Sequence, residues 1–340
     1  MSLDWKDIEA RGKQGIACTD AEALQVTMMT DEAELEQLYA TAEAIKLHHK
    51  GREIYTCGIT NAKSGACPEK CNFCSQSAHF SEAESPVYKL KDADTIAAEA
   101  RAAADFGVRE FSIVTQGRAM TKQSELDELK KAFRTIRAET GMQTCASLGL
   151  MSKEHLAELK EAGMDACHHN LETARSFHHN IVESHSYDDE VETIKAAKEV
   201  GMYVCSGGIF GLGEDWGHRR ELAEDLRDLD VDSVPINFLN ARPGTPLEGK
   251  KDLTPTDCLK IIALYRLMLP TKDLIVCGGR EMNLQDKQYE MFRAGANGIM
   301  LGNYLTTPGG ETDQDLAAIE AQGLIIRPPP HVPNAPVQTS

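Results

Sequence analysis

From residue 53 onward, short β-rich runs alternate with charged helical runs, and no long Pro- or Ser-rich linker interrupts them. The strands read as EIYTCGI (53–59), REFSIVT (109–115), MQTCASL (142–148), DACHHNL (165–171), MYVCSGGIF (202–210), DSVPINF (232–238), DLIVC (273–277) and NGIMLG (297–302). Helical segments fall between them near 93–106, 124–140, 152–162, 187–200, 215–229, 255–269 and 284–294, with a last one near 313–322. Several open on a capping residue, such as Ser124, Ser152 or Thr254 before Pro255. Several end just before a glycine, as at Gly107, Gly141, Gly163, Gly201 and Gly295. Eight strand–helix units predict a parallel α/β architecture. Their number and a span of about 250 residues fit a closed (β/α)8 barrel of the TIM type. An open, doubly wound sheet is the alternative, and counting alone does not separate the two.

Two segments flank the barrel, which is assigned to 53–325. Residues 1–52 form an N-terminal helical extension. In it Asp31 caps an amphipathic run that ends at Gly51, with His48, His49 and Lys50 in its last turn. Residues 326–340 form a Pro-rich tail; RPPPHVPNAPVQTS carries too many prolines for a helix and is expected to be a loose extension.

Charge narrows the partners. With 36 Lys and Arg against 53 Asp and Glu, the formal net charge is −17. That argues against nucleic acid and against an anionic membrane surface. No run of 18 apolar residues could span a bilayer. The opening MSLDWKDIEARGKQ lacks the apolar stretch of a signal peptide. A cytoplasmic, reducing location follows as the expectation. Clustered thiols among the ten cysteines then point to metal ligation or catalysis rather than to disulfides.

One such cluster exists. NAKSGACPEKCNFCSQSAHF places Cys67, Cys71 and Cys74 at C-x3-C-x2-C spacing directly after the first strand. In a barrel that loop lies on the C-terminal face, where active sites sit. Three thiolates can hold three irons of a cubane and leave the fourth open, as a catalytic metal centre requires. A zinc site with His79 as fourth ligand is the competing reading.

This motif on the first βα loop resembles the radical S-adenosylmethionine (SAM) superfamily. The segments CSGGIFGLGE, SVPINFL, GTPLEG, GGREMN and AGANGIM…YLTTPG, in that order, narrow the resemblance to the biotin synthase family, from about residue 30 to 325. The resemblance implies a 4Fe–4S cluster on Cys67, Cys71 and Cys74, with SAM chelating the open iron through its amino and carboxylate groups. Reductive cleavage then yields methionine and a 5′-deoxyadenosyl radical, with flavodoxin or ferredoxin as electron donor. The implied reaction is the last step of biotin synthesis: hydrogen abstraction from two carbons of dethiobiotin and insertion of one sulfur between them. A homodimer is implied as well. For SAM binding it points to Gly207, Ile209 and Glu214 in a G-x-I-x-G-x-x-E pattern, and to Glu172, which replaces a shorter residue of the family. For substrate binding it points to Asn170, Asn237 and His168.

The family also carries an auxiliary iron–sulfur cluster, 2Fe–2S by resemblance, as sulfur donor. Its implied ligands here are Cys145, Cys205 and Arg280. The remaining family cysteine falls at Ser112. Serine is a poor iron ligand beside a softer, more acidic thiol, so Ser112 is a doubtful one. Cys277, three residues before Arg280, is the candidate substitute. Cys18, Cys57, Cys167 and Cys258 read as small buried hydrophobes. The His-rich HHNLETARSFHHN reads as loop and pocket wall. Two other functions compete: a related radical enzyme such as a metallocofactor maturase, and a non-catalytic iron–sulfur redox sensor.

Overall fold

The computed structural model describes residues 3–331. Nine strands form the barrel: β1 (Glu53–Lys63), β2 (Glu110–Thr115), β3 (Gln143–Ser147), β4 (Ala166–His168), β5 (Tyr203–Cys205), β6 (Gly208–Phe210), β7 (Ser233–Phe238), β8 (Asp273–Val276) and β9 (Gly298–Met300). All pairings are parallel, and β9 returns to pair with β1. Strands β5 and β6 are two halves of one stave, both hydrogen-bonded to β7. The sheet therefore closes with eight staves, as the (β/α)8 reading expects, and the open sheet is ruled out.

The intervening helices follow the sequence pattern closely. Thr254 and Asp257 form a reciprocal capping box on Pro255–Met268, and Gly141 ends Gln123–Thr140 in the left-handed region. Two expectations are corrected. Ser124 is not a cap, since Gln123–Thr140 opens on Lys122 without a side-chain capping bond. The helix expected over 284–294 is broken into Arg280–Leu284 and a 3-10 turn over Gln285–Phe292, because Gln285 takes φ 53° and stops the α-helix.

Three helices, Trp5–Lys13, Asp20–Met28 and Glu32–Lys50, make up the N-terminal extension. The second and third cover Pro255–Met268, with the first packed on the third, which explains why Pro255–Met268 is apolar almost all round. Lys260 inside this layer donates to the carbonyls of Thr27 (3.1 Å) and Met29 (3.0 Å), which satisfies the end of the second helix.

The tail departs from expectation as far as it is described. A tenth strand, β10 (Ile325–Ile326), pairs with the start of β1. Arg327 then reaches Asp273 at 3.1 Å, and His331 reaches Asp165 at 2.9 Å. Residues 327–331 are thus docked under the barrel by charge pairs rather than loose; 332–340 lie outside the described residues.

Three apolar regions result, one of them a patch of Ile181, Val182, Leu212 and Leu239 beside the cysteine loop. The large one lies between staves and helices and contains Cys18, Cys167 and Cys258. The third, Tyr55, Cys57, Ile275, Cys277 and Met300, lies inside the barrel. Cys57 is therefore not core filler like the other three.

Candidate functional site

β1 runs straight into the cysteine loop. Gly65 (φ 72°) and Ala66 (φ 51°) turn the chain, and a Cβ on Gly65 would meet the Pro86 carbonyl oxygen at 2.7 Å. The Cys67 N–H donates to Gln76 O (2.9 Å) and the Ala78 N–H to Cys67 O (2.8 Å), folding the loop on itself. The Cys74 N–H closes a turn onto Cys71 O at 2.9 Å. The far side is docked on residues 181–185: Asn72 N–H donates to Ile181 O (2.8 Å), and Glu69 meets His185 Nδ1 at 2.7 Å. His185 Nε2 meets Glu190 at 2.6 Å, and Glu190 also pairs with His169. Burial alone would raise the Glu190 carboxyl, but His169 and His185 hold it down to about 2. The sequence reading missed this Glu69–His185–Glu190–His169 chain. The signal was available in the Glu inside CPEKC and in histidines on both sides of a loop.

The loop thiols fit a cluster better than a single ion. Among the described residues, one group of three possible metal ligands has its donor atoms within 4.8 Å of one another: His178, His185 and Glu190. Both nitrogens of His185 are already committed to carboxylates. Cys67, Cys71 and Cys74 are spread more widely, whereas tetrahedral zinc with Zn–S of about 2.3 Å needs sulfurs about 3.8 Å apart. His79 is also committed, its Nε2 lying 3.0 Å from Pro68 O. Burial pushes the Cys71 thiol well up and Cys74 to about 11. Deprotonating them calls for strong positive charge close by, as bound iron supplies.

Between the loop and the strand ends lies a cavity of about 300 Å³. Cys74 and Gln76 face it from the loop, His168, Asn170 and Glu172 from β4 and the turn after it, and Ile209 and Asn237 from β6 and β7. Asn170 accepts from Gly207 N–H (3.2 Å) and donates to Glu172 (3.4 Å). Asn237 accepts from Gly278 N–H (3.0 Å) and donates to Gly208 O (3.2 Å). Each amide keeps a second N–H and a second lone pair for a ligand. Glu172 holds φ 62°, strained for a residue with a side chain, and burial and the Glu190 charge raise its carboxyl to about 8. Burial and the neighbouring His169 lower His168 to about 4, so its ring is neutral.

Two residues implied as SAM contacts do other work. A Cβ on Gly207 would meet Pro235 O at 2.1 Å, so its close approach is to the next stave and it does not line the cavity. Glu214 accepts from Gly211 N–H (3.0 Å), Gly213 N–H (3.1 Å) and Arg219 Nε (2.8 Å). It clips the turn after β6 and likewise stays out of the cavity wall. Ile209, between them, does face the cavity.

Deeper in the barrel, Ser112, Cys277 and Met300 form the cavity floor. Beneath lie Cys57, Cys145 and Cys205, all buried. Arg280 does not join them. Gly279 (φ 73°) turns the chain out of β8, and both terminal nitrogens of Arg280 meet Asp315 at 2.8 Å. Gln288 takes a further bond at 2.8 Å. The guanidinium is fully buried, and its Nε has no hydrogen-bond partner among the described residues.

Comparison with known proteins identifies the family. The radical SAM superfamily model matches residues 61–226, and a biotin and thiamin synthesis associated domain matches 235–325. Biotin synthase of Anaeromyxobacter dehalogenans is 51% identical over 91% of this chain and 85% of its own length. Biotin synthase of Geobacter sulfurreducens is 48% identical over 91% of this chain and 93% of its own. Among solved structures, methylornithine synthase superposes with TM-score 0.82 over 94% of this chain and 97% of its own, at 20% identity. The [FeFe]-hydrogenase maturase HydG superposes at 0.79 over 95% and 75%, at 16% identity. These two likenesses establish the fold alone.

Proposed function

The chain belongs to the biotin synthase family of radical SAM enzymes, and on that premise we propose that its cavity binds SAM and dethiobiotin together and that sulfur is inserted from a second cluster below them. The observation that carries this reading is the stacking in one barrel of a three-thiol loop, an amide-lined cavity and a thiol-bearing floor. When bound, the loop cluster supplies the electron that splits the SAM sulfonium, and the lower cluster supplies sulfur.

The protein's own residues bind, orient and exclude water. Cys67, Cys71 and Cys74 hold the 4Fe–4S cluster, and three protein ligands leave one iron open for SAM. Glu172, beside that loop, accepts a ribose hydroxyl, as acidic residues do at other nucleotide sites. Asn170 and Asn237 offer donor and acceptor pairs that match a cyclic urea such as that of dethiobiotin. Neutral His168 adds a hydrogen-bonding group without placing a charge beside the C–H bonds to be broken. The closed lumen keeps water from a reactive radical. On the same reading the enzyme works in the cytoplasm as a homodimer, with electrons from flavodoxin or ferredoxin. Among the described residues, no helix is long and apolar enough to cross a membrane.

One anaerobic assay tests the reading. With SAM, a low-potential reductant and dethiobiotin, biotin and 5′-deoxyadenosine are expected. Deoxyadenosine without biotin would move the substrate elsewhere within the superfamily. Neither product from cluster-loaded protein would overturn the reading.

A further inference from the structure

The family's auxiliary cluster implies three cysteines and an arginine, and this lumen does not supply them. Ser112 stands at one cysteine position, and the terminal nitrogens of Arg280 are bound bidentately by buried Asp315. What the lumen holds instead is four thiols on four staves. Cys57 comes from β1, Cys145 from β3, Cys205 from β5, and Cys277 follows β8 directly.

They form a chain of neighbours running from Cys277 through Cys57 and Cys205 to Cys145. Cys57 and Cys277 share one buried cluster, brought level by β9, where Met300 pairs with Cys57 and Ile299 with Val276. Cys277 is the strongest influence on the Cys57 thiol, and Cys205 lies within electrostatic reach of both Cys57 and Cys145. Among the described residues no three of the four converge to within 4.8 Å. A mononuclear tetrahedral ion therefore does not fit them as placed, whereas a polynuclear cluster spans wider sulfurs.

The surroundings suit thiolates on iron and little else. Among the described residues, the buried Ser112 and Ser233 hydroxyls have no hydrogen-bond partner. Ser112 sits beside Cys145 and Ser233 beside Cys205, where each can donate to sulfur once the thiol is deprotonated. Apart from one another, the charge these thiols meet most closely is that of Glu110, an acid. A set of buried thiolates beside an acid calls for the positive charge of several metal ions.

We propose that the sulfur-donor cluster of this chain is ligated by four cysteines, Cys57, Cys145, Cys205 and Cys277, with Arg280 outside the ligand set and Ser112 and Ser233 as hydrogen-bond donors to ligand sulfurs. The proposal rests on the reading of this lumen as the sulfur-donor site and names the residues that build it. Cys277, on the cavity floor, is the ligand that faces substrate. Ser112 keeps a role, but as a thiolate partner.

The test is made on full-length protein reconstituted anaerobically with iron and sulfide, after the loop cluster is removed by Cys67→Ala, Cys71→Ala and Cys74→Ala together. This triple variant is expected to retain iron and sulfide. In it, Cys57→Ser and Cys277→Ser should each lower bound iron at least twofold and change the Mössbauer spectrum. Cys167→Ala, on the outer face, should change neither. Full iron and an unchanged spectrum in both serine variants would overturn the proposal, as would a triple variant that binds no iron. A second measurement needs no lumen substitution. The reduced triple variant labelled with 15N-arginine should show no directly coupled nitrogen by pulsed electron paramagnetic resonance; a strong 15N coupling would overturn the proposal. Failure to make biotin with these signatures intact would count against the substrate reading and leave the ligand set standing.

Discussion

The cysteine loop and the lumen hold thiols in opposite ways. On the loop, Cys67, Cys71 and Cys74 lie within eight residues, on backbone bent by Gly65 and Ala66 and pinned by Glu69 to His185. In the lumen, four cysteines come from four staves spread between residues 57 and 277, and the closed sheet sets their spacing. A loop can present an open iron to a ligand from above. A lumen encloses its group and offers it to the cavity through one side, here the Cys277 floor. The difference suits a centre that must meet SAM and a centre that must meet only the substrate.

Removing one thiol from each region should give the largest effects and of different kinds. Cys71→Ala is expected to abolish both 5′-deoxyadenosine and biotin while lumen iron persists. Cys145→Ala is expected to abolish biotin while SAM cleavage continues. Product analysis by chromatography with iron counts checks both. Equal loss of both products in the two variants would erase the distinction.

Next in size is a test of the arginine. Arg280 and Asp315 are buried together, and leaving either alone is costly. Asp315→Ala should destabilise the cluster-free protein by about 3–5 kcal/mol, read from urea unfolding. Asp315→Asn should recover part of that. A stability change below about 1 kcal/mol would return Arg280 to the list of candidates for the lumen.

These examples show what was legible in sequence. The loop motif was, because its ligands are contiguous and their spacing is itself the signal. The barrel was, because caps and glycines bound each unit. Cys57 was not: a single cysteine in EIYTCGITNAK looks like filler until closure brings β1 beside β8 through β9. Arg280 failed for the converse reason. It adjoins the end of a lumen strand in sequence, but its terminal nitrogens pair with Asp315, 35 residues further on. Gly207 and Glu214 match a cofactor pattern, yet the contacts that require them are with Pro235 and with the turn they stabilise. Pattern located the segment; only packing assigned the work within it.

A smaller effect is expected in the cavity between the two regions. Asn237→Ala should raise the apparent KM for dethiobiotin about 5- to 30-fold, the cost of about 1–2 kcal/mol for hydrogen bonds to a ligand. SAM cleavage without dethiobiotin should be unchanged. Asn170→Ala should weaken SAM as well, because Asn170 also orients Glu172. Identical effects of the two on both ligands would show that they only brace Gly207 and Gly278.

The smallest effect concerns pH and sharpens the electrostatic side of the comparison. Glu172 stands near Cys71 and Cys74, and its carboxyl is raised from 4.5 to about 8 by burial and by the Glu190 charge. A carboxyl with a folded-state pKa above its unfolded value favours folding in its neutral form. Its contribution is present below the unfolded pKa and is lost as pH rises toward the folded value. The cluster-free parent should therefore lose stability between about pH 5 and pH 8, relative to a variant without the charge. Glu172→Gln should match the parent near pH 4.5 and exceed it progressively up to pH 8, then run parallel. The difference is on the order of 1–2 kcal/mol once solvent screening of a partly exposed group is allowed for. Urea midpoints across that range check it. Parallel curves throughout would mean that Glu172 is already charged beside the loop, and that the loop region tolerates anionic charge that the lumen, on the reading given above, accepts only around metal.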